Sequence, residues 1–342
     1  MRVLIYSRAF RPSIGGLETM MELLADGFSR SGHRVVVATT TPGPPEEDGV
    51  FEVVRNPSAV ALWRLARTTD VCLCASISLR GLPPILASGT PTIVVHHGWY
   101  RGTQPAPWLA ALKNGVSHLV TNVFASQAVA RRIPTDGHVI PNAYDDRQFH
   151  AYPDVDRGED LIVVARLVSE KGVDILLYAL GELGGQGLRP NLTVVGAGPE
   201  QAALQALTVS LGLSEQVRFR GSLTGEPLAR EIARHRVMVV PSSYEEPFGI
   251  VALEGIACGC MVVGTDGGGL PEAIGPCGLI ARRGDAADLA RQIGRALDDT
   301  TAHAAMRAAA EVHLRRHRRE QVVAEYLDVL TAAAEGKRTI PT

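Results

Sequence analysis

Residues 237–272 read VMVVPSSYEEPFGIVALEGIACGCMVVGTDGGGLPE. An unbroken apolar run (237–240) stops at Pro241, and a polar loop follows. The apolar pattern resumes as a helix over 250–258, and a second apolar run fills 261–264. Strands that are apolar at successive positions are buried on both faces, as in a parallel sheet sandwiched between helices. The unit is therefore strand, helix, strand, with its polar loop at the carboxyl end of the first strand. Ligands in open α/β sheets bind at that end.

The same rhythm extends in both directions. Toward the N-terminus, strands are expected at 161–164, 192–195 and 217–220, with helices over 173–183, 200–211 and 227–235. A further strand is expected at 278–280. An earlier series runs through 3–6, 35–39, 50–54, 71–75, 92–96, 119–122 and 138–140, with its clearest helix over 19–30. The polar stretch PNAYDDRQFHAYPDVDRGED (141–160) separates the two series. The fold class is α/β, with two facing doubly wound parallel-sheet (Rossmann-like) domains and one cleft between them. The expected bounds are 1–148 and 149–318. A closing helix (319–342) is expected to return to the first domain, within a helical pattern that reads as continuous over 304–333.

Composition narrows the function. The 342 residues are 46% apolar and 20% charged, which suits a globular chain and excludes disorder or coiled coil throughout. Net charge is -2, so no polyanion partner is implied and nucleic-acid binding is not expected, despite the RRHRRE run near the C-terminus. Residues 1–150 hold 14 basic against 11 acidic residues, a net of +3 that would suit docking to an anionic membrane surface as well as a soluble acceptor. Five cysteines without C-x-x-C spacing read as thiols in a reducing compartment. The N-terminus shows no signal-peptide pattern, and no apolar run reaches 18 residues. The expected location is cytoplasmic, with the inner face of the cytoplasmic membrane as one site of work.

Three places carry chemistry. After the first strand, Gly15 and Gly16 open a helix, where bare amides favour an anion. After the strand at 161–164, ARLVSEKGVD (165–174) sets Arg166 and Lys171 at the sheet mouth; two cations there suit a diphosphate. Lysine is scarce, with Lys113, Lys171 and Lys337 the only three. In 241–254, the amides of Gly249, Ile250 and Val251 start a helix and offer a second anion site. Glu246 lies just outside that helix. Glu254 sits inside its apolar run, a costly place for a charge that binds nothing. VVGAGPE (194–200) lacks the third glycine of a dinucleotide fingerprint and reads as a plain turn. Asp154-Val155-Asp156 spells D-x-D but lies in the polar linker rather than after a strand.

Taken in order, several segments resemble the retaining glycosyltransferases of family 4, which have the two-domain GT-B fold. They are Gly15-Gly16 with Glu18, His97-Gly98, PNAYDDRQF (141–149), ARLVSEKGVD, VVGAGP, VRFRGSL (217–223) and the Glu246-PFGIVAL-Glu254 spacing. Ala143 and Tyr144 stand where the family carries Gly-Val, outside the diphosphate site. The resemblance implies hexosyl transfer from a UDP- or GDP-linked sugar to a glycan, lipid-linked or small-molecule acceptor, with no required metal or other cofactor. It implies that Arg166 and Lys171 bind the diphosphate, that the Gly16 amide approaches the phosphates or the donor sugar, and that Glu246 meets the sugar hydroxyls. Phe248, Gly249, Ile250 and Val251 would add backbone contacts, Glu254 would hold the ribose, and Arg220 would border the nucleobase. His97 would face the reacting sugar and the acceptor. Glu18, Trp99, Tyr100 and Arg101 are the acceptor candidates. A nucleotide-sugar epimerase of the same fold and a silent nucleotide-sugar-binding protein are the competing readings.

Overall fold

The computed structural model describes residues 1–13, 15–43, 50–100, 107–298 and 300–336. Contacts divide the chain into two compact units: Met1–Ala143 with the chain from Arg318 onward, and Tyr144–His317.

The first unit is built on β1 (Arg2–Ser7), β2 (Arg34–Thr39), β3 (Glu52–Arg55), β4 (Val71–Cys74), β5 (Thr92–His96), β6 (Thr121–Phe124) and β7 (His138–Val139). Its sheet order is β3-β2-β1-β4-β5-β6-β7, and every strand pair is parallel. Helices α1 (Gly16–Arg30), α2 (Ala59–Arg67), α3 (Leu82–Leu86), α4 (Pro107–Ser117) and α5 (Gln127–Ala130) connect the strands. Alternate residues of β1 feed opposite cores: Val3 and Ile5 join one, Leu4 and Tyr6 the other. The strand expected at 119–122 lies two residues later, because Leu119 is 73% exposed while Val123 and Phe124 are buried.

The second unit contains β8 (Glu159–Val164), β9 (Leu192–Val195), β10 (Val217–Gly221), β11 (His235–Val240), β12 (Met261–Thr265) and β13 (Gly278–Ala281). They are again all parallel, in the order β10-β9-β8-β11-β12-β13. Its helices are α6 (Val173–Gly185), α7 (Gln201–Ser210), α8 (Gly225–Ala233), α9 (Ile250–Ala257), α10 (Leu270–Ile274), α11 (Ala286–Asp298) and α12 (Thr300–Arg315). Tyr144 and Phe149 belong to this unit's core.

The helical pattern expected as continuous over 304–333 is two helices, α12 and α13 (Arg319–Ala334). Their apolar sets explain the break. Met306 and Leu314 pack into the second unit's core, whereas Val322, Val323, Tyr326 and Leu330 pack beside α1 in the first. At the break the His317 carbonyl accepts from the Tyr144 amide at 3.3 Å. Arg319 pairs with Asp26 of α1 at 2.8 Å.

Candidate active site

In each sheet the strand order reverses beside the first strand of the unit: between β1 and β4, and between β8 and β11. A crevice opens at such a switch point because the flanking connections leave in opposite directions. In the second unit the loops leaving β8 and β11 carry ARLVSEKG and PSSYEEPFG.

The two loops are locked together through their backbones. The Ser243 amide donates to the Glu170 carbonyl at 2.9 Å, and Ser243 Oγ to the Ser169 carbonyl at 3.1 Å. Gly172 follows a short 3-10 turn with φ 65, and a side chain there would meet the Pro241 oxygen at 2.1 Å. Only glycine fits that approach. On the other side Gly268, also left-handed, lies against the Glu246 backbone, whose carbonyl accepts from the Gly269 amide at 2.7 Å.

Glu246 is thereby held at 6% exposure, at the centre of a polar cluster. Its Oε1 accepts from Lys171 Nζ at 2.6 Å and from Ser242 Oγ at 2.7 Å. Its Oε2 accepts from Tyr244 OH at 2.6 Å. Lys171 Nζ also reaches Tyr244 OH at 3.3 Å and lies 5.1 Å from that ring's centre. Burial, reinforced by the Glu246 charge, raises the Tyr244 phenol, so it stays a proton donor. Arg166 is exposed and makes no ion pair among the described residues; its charge opposes that rise.

Glu254 lies on α9, half-buried among apolar neighbours. Burial, with a smaller push from Asp145, raises its carboxyl to about 7. Among the described residues its carboxylate has no hydrogen-bond partner, whereas Glu245 pairs with Arg283 at 3.6 Å. The Phe248 ring points inward at 3% exposure, 5.6 Å from the His317 ring centre, so only its backbone is available to a ligand. Gly249 caps α9, ahead of half-buried Ile250 and Val251. Arg220, in the bulged end of β10, lies 3.7 Å from Glu231 of α8. Asp154 is paired with Arg230 at 2.7 Å on the surface. Among the described residues no three His, Cys, Asp or Glu side chains gather as a metal site.

In the first unit, α1 opens at Gly16 with Gly15 as its cap. The Glu18 carboxylate folds over Gly15, where a side chain would meet its Oε2 at 2.5 Å, and accepts from Ser13 Oγ at 3.2 Å. His97 follows β5; its Nε2 is buried with no partner among the described residues. Burial, then the neighbouring His96, lowers its imidazole to about 4, so it is neutral at pH 7.

The acceptor candidates fall in different surroundings. Tyr100 is 7% exposed, and its hydroxyl is bonded to His96 Nδ1 at 2.8 Å. That bond satisfies buried His96, whose other ring nitrogen is bonded to Asn122 Oδ1 at 2.8 Å. Trp99 is half-buried beneath the Arg132 guanidinium, 4.1 Å from its ring centre. Arg101 lies outside the described residues.

Comparison with known proteins bears on this arrangement. A model of the group 1 glycosyl transferases matches residues 145–313, and one of glycosyltransferase family 4 matches residues 14–148. The chain belongs to the family 4, group 1 glycosyltransferases. A D-inositol 3-phosphate glycosyltransferase of Streptomyces bingchenggensis is 33% identical over 52% of this family 4 chain and 42% of that relative. The match thus spans less than half of that relative's length. A GDP-mannose-dependent alpha-(1-6)-phosphatidylinositol monomannoside mannosyltransferase of Mycolicibacterium smegmatis is 25% identical over 89% of this chain and 91% of its own. Among solved structures, Anabaena HepE in complex with UDP and glucose has a TM-score of 0.82 at 19% identity, covering 97% of this chain and 100% of that one. Sucrose-phosphate synthase of Thermosynechococcus elongatus has a TM-score of 0.83 at 19% identity, covering 98% and 100%. These two likenesses establish the GT-B fold for the family 4 chain.

Sequence reasoning missed Ser242, Tyr244 and Asp145 in this glycosyltransferase-family site. The signal for the first two was present, since SSY runs directly into Glu245-Glu246. Hydroxyls that close to a buried carboxylate are its nearest available donors.

Proposed function

We propose that this chain moves a hexosyl group from a nucleotide diphosphate sugar to an acceptor, with retention at the anomeric carbon and without a required divalent ion. The observation that carries the reading is the cluster at the β8–β11 switch point. A buried carboxylate, Glu246, is bonded to Lys171, Tyr244 and Ser242, and Arg166 makes no ion pair among the described residues at the same loops. Glu254 stands as a second carboxylate, without a hydrogen-bond donor among the described residues.

Arg166, Lys171 and the amides of Gly249, Ile250 and Val251 take the diphosphate, whose charge grows as the sugar leaves. Fixed positive charge and backbone dipoles meet that charge without reorganising. Glu246 takes sugar hydroxyls and Glu254 takes the ribose hydroxyls. Arg220 borders the nucleobase. Neutral His97 and the Gly16 amide serve the sugar and the acceptor, with the leaving phosphate accepting the acceptor's proton in a front-side attack. The names of matched relatives and of a solved neighbour support two donors for test, GDP-mannose and UDP-glucose, and a phosphorylated or lipid-linked inositol as first acceptors. A peripheral role at a membrane surface fits such an acceptor. Among the described residues no helix is long and apolar enough to cross a membrane.

The test is a thermal-shift screen of UDP, GDP and their sugars, since a ligand that binds only the native state raises Tm. Proton NMR of the product with excess chelator follows. An alpha product from an alpha donor supports the reading. A new sugar isomer from donor alone would identify an epimerase instead.

A further inference from the structure

Glu246 is already engaged by the protein at the point where the donor reading needs it for a sugar. A carboxylate offers about four lone-pair positions. Lys171, Ser242 and Tyr244 occupy three of them. Lys171 is likewise engaged at the point where the reading needs it for phosphate. The two requirements resolve together.

We infer that Lys171 and Glu246 exchange partners when the donor binds. Lys171 leaves the carboxylate for the diphosphate, while Tyr244 and Ser242 hold the carboxylate in place to receive a sugar hydroxyl. This deepens the donor reading above and rests on it. Tyr244 and Ser242 are positioning residues that act through Glu246.

Three observations favour the exchange. The Lys171 backbone is clamped by the Ser243 contacts and Gly172, so motion is confined to its flexible four-carbon stem. A diphosphate carries at least twice the charge of one carboxylate, so at equal distance it attracts the ammonium about twice as strongly. Finally, the carboxylate does not lose all its donors when Lys171 departs, because two hydroxyls remain on it at 2.7 and 2.6 Å. Without them a buried charge would be stranded, and Lys171 would stay where it is. Arg166 and Glu170 also act on Tyr244 from the neighbouring loop, with opposite signs.

The chain's three lysines make the exchange observable. With selectively labelled lysine, the Lys171 side-chain NMR signal is assigned by its loss in Lys171→Arg and followed during titration with UDP and with GDP. The expected result is that one nucleotide moves the Lys171 signal. Tyr244→Phe weakens binding of that nucleotide roughly tenfold, the scale of one hydrogen bond to a charged group. In a Glu246→Gln background the Lys171 signal is already displaced before nucleotide is added, and Tyr244→Phe then changes affinity by less than about twofold. Ser242→Ala provides the same contrast should Tyr244→Phe not fold. If the signal moves but Tyr244→Phe has equal effects with Glu246 and with Gln, or none, the exchange is wrong and the donor reading stands. If neither nucleotide moves the signal, both fall.

Discussion

The Lys171 ammonium lies 2.6 Å from Glu246 Oε1, on a carboxylate that is only 6% exposed. The two residues are 75 positions apart and come from loops on either side of one switch point. Their meeting depends on the parallel sheet, and it gives the second unit a polar centre that its apolar core does not require.

Lys171→Ala removes one fixed cation from the proposed leaving group. Transfer should slow by ~2–4 kcal/mol of barrier, several tens to several hundred fold. Glu246, left with two of its three donors, should also cost stability. Tm and kcat together check this, and a parent rate in the folded variant would refute the role.

Arg166→Ala tests the other cation, which is exposed and unpaired among the described residues. Stability should change by less than about 0.5 kcal/mol, as for other surface positions. Affinity for the donor nucleotide, measured by calorimetry, should nevertheless fall at least roughly tenfold.

Glu254 links the site to pH. Its carboxyl sits near 7, above the ordinary 4.5, so the native state keeps the proton after the unfolded chain has lost it. Its burial therefore costs stability as pH rises from 4.5 to 7, and the cost persists above that range. Glu254→Gln should stabilise the fold at about pH 8 by on the order of 1–3 kcal/mol, seen as a higher Tm, and leave stability nearly unchanged near pH 4.5. Binding runs the other way. Ribose hydroxyls favour the ionised form, so nucleotide affinity should weaken as pH drops below about 7, and the variant should lose that dependence.

Gly172→Ala asks whether the loop clamp matters. The new methyl would meet the Pro241 oxygen at 2.1 Å, in a backbone conformation with φ 65. A loss of about 1–3 kcal/mol is expected by thermal or denaturant unfolding, with weaker nucleotide binding, because the turn that presents Lys171 must shift.

Tyr100→Phe should behave as a core change. It removes the partner of a fully buried His96 nitrogen, worth about 1–3 kcal/mol. The KM for the acceptor should not move, and a selective rise would show Tyr100 to be an acceptor contact.

Much of the fold was legible because buried parallel strands are apolar at every position. Thr92–His96 and Leu192–Val195 have the bounds that their runs imply. The strand before Ala125 was misplaced because Leu119 and Val120 extend its apolar run backwards, and apolar character alone does not report exposure. The break between α12 and α13 was hidden because each helix is amphipathic on its own and the polar residues between them suit an exposed helix face as well as a turn. In the site, residue types and spacing pointed to Arg166, Lys171, Glu246 and Glu254. That Lys171 rests on Glu246, and that Tyr244 and Ser242 complete the shell, depends on how two loops distant in sequence are clamped. Local spacing carries no information on that.

Whether the second unit holds a donor's diphosphate with Arg166 and Lys171, as proposed, is tested most directly by a crystal structure with the UDP or GDP compound that raises Tm most. Phosphate oxygens are expected within hydrogen-bonding distance of Lys171 Nζ and the Arg166 guanidinium, with Lys171 drawn off Glu246. Nucleotide bound elsewhere, with Lys171 still on Glu246 and Arg166 directed to water, would contradict it.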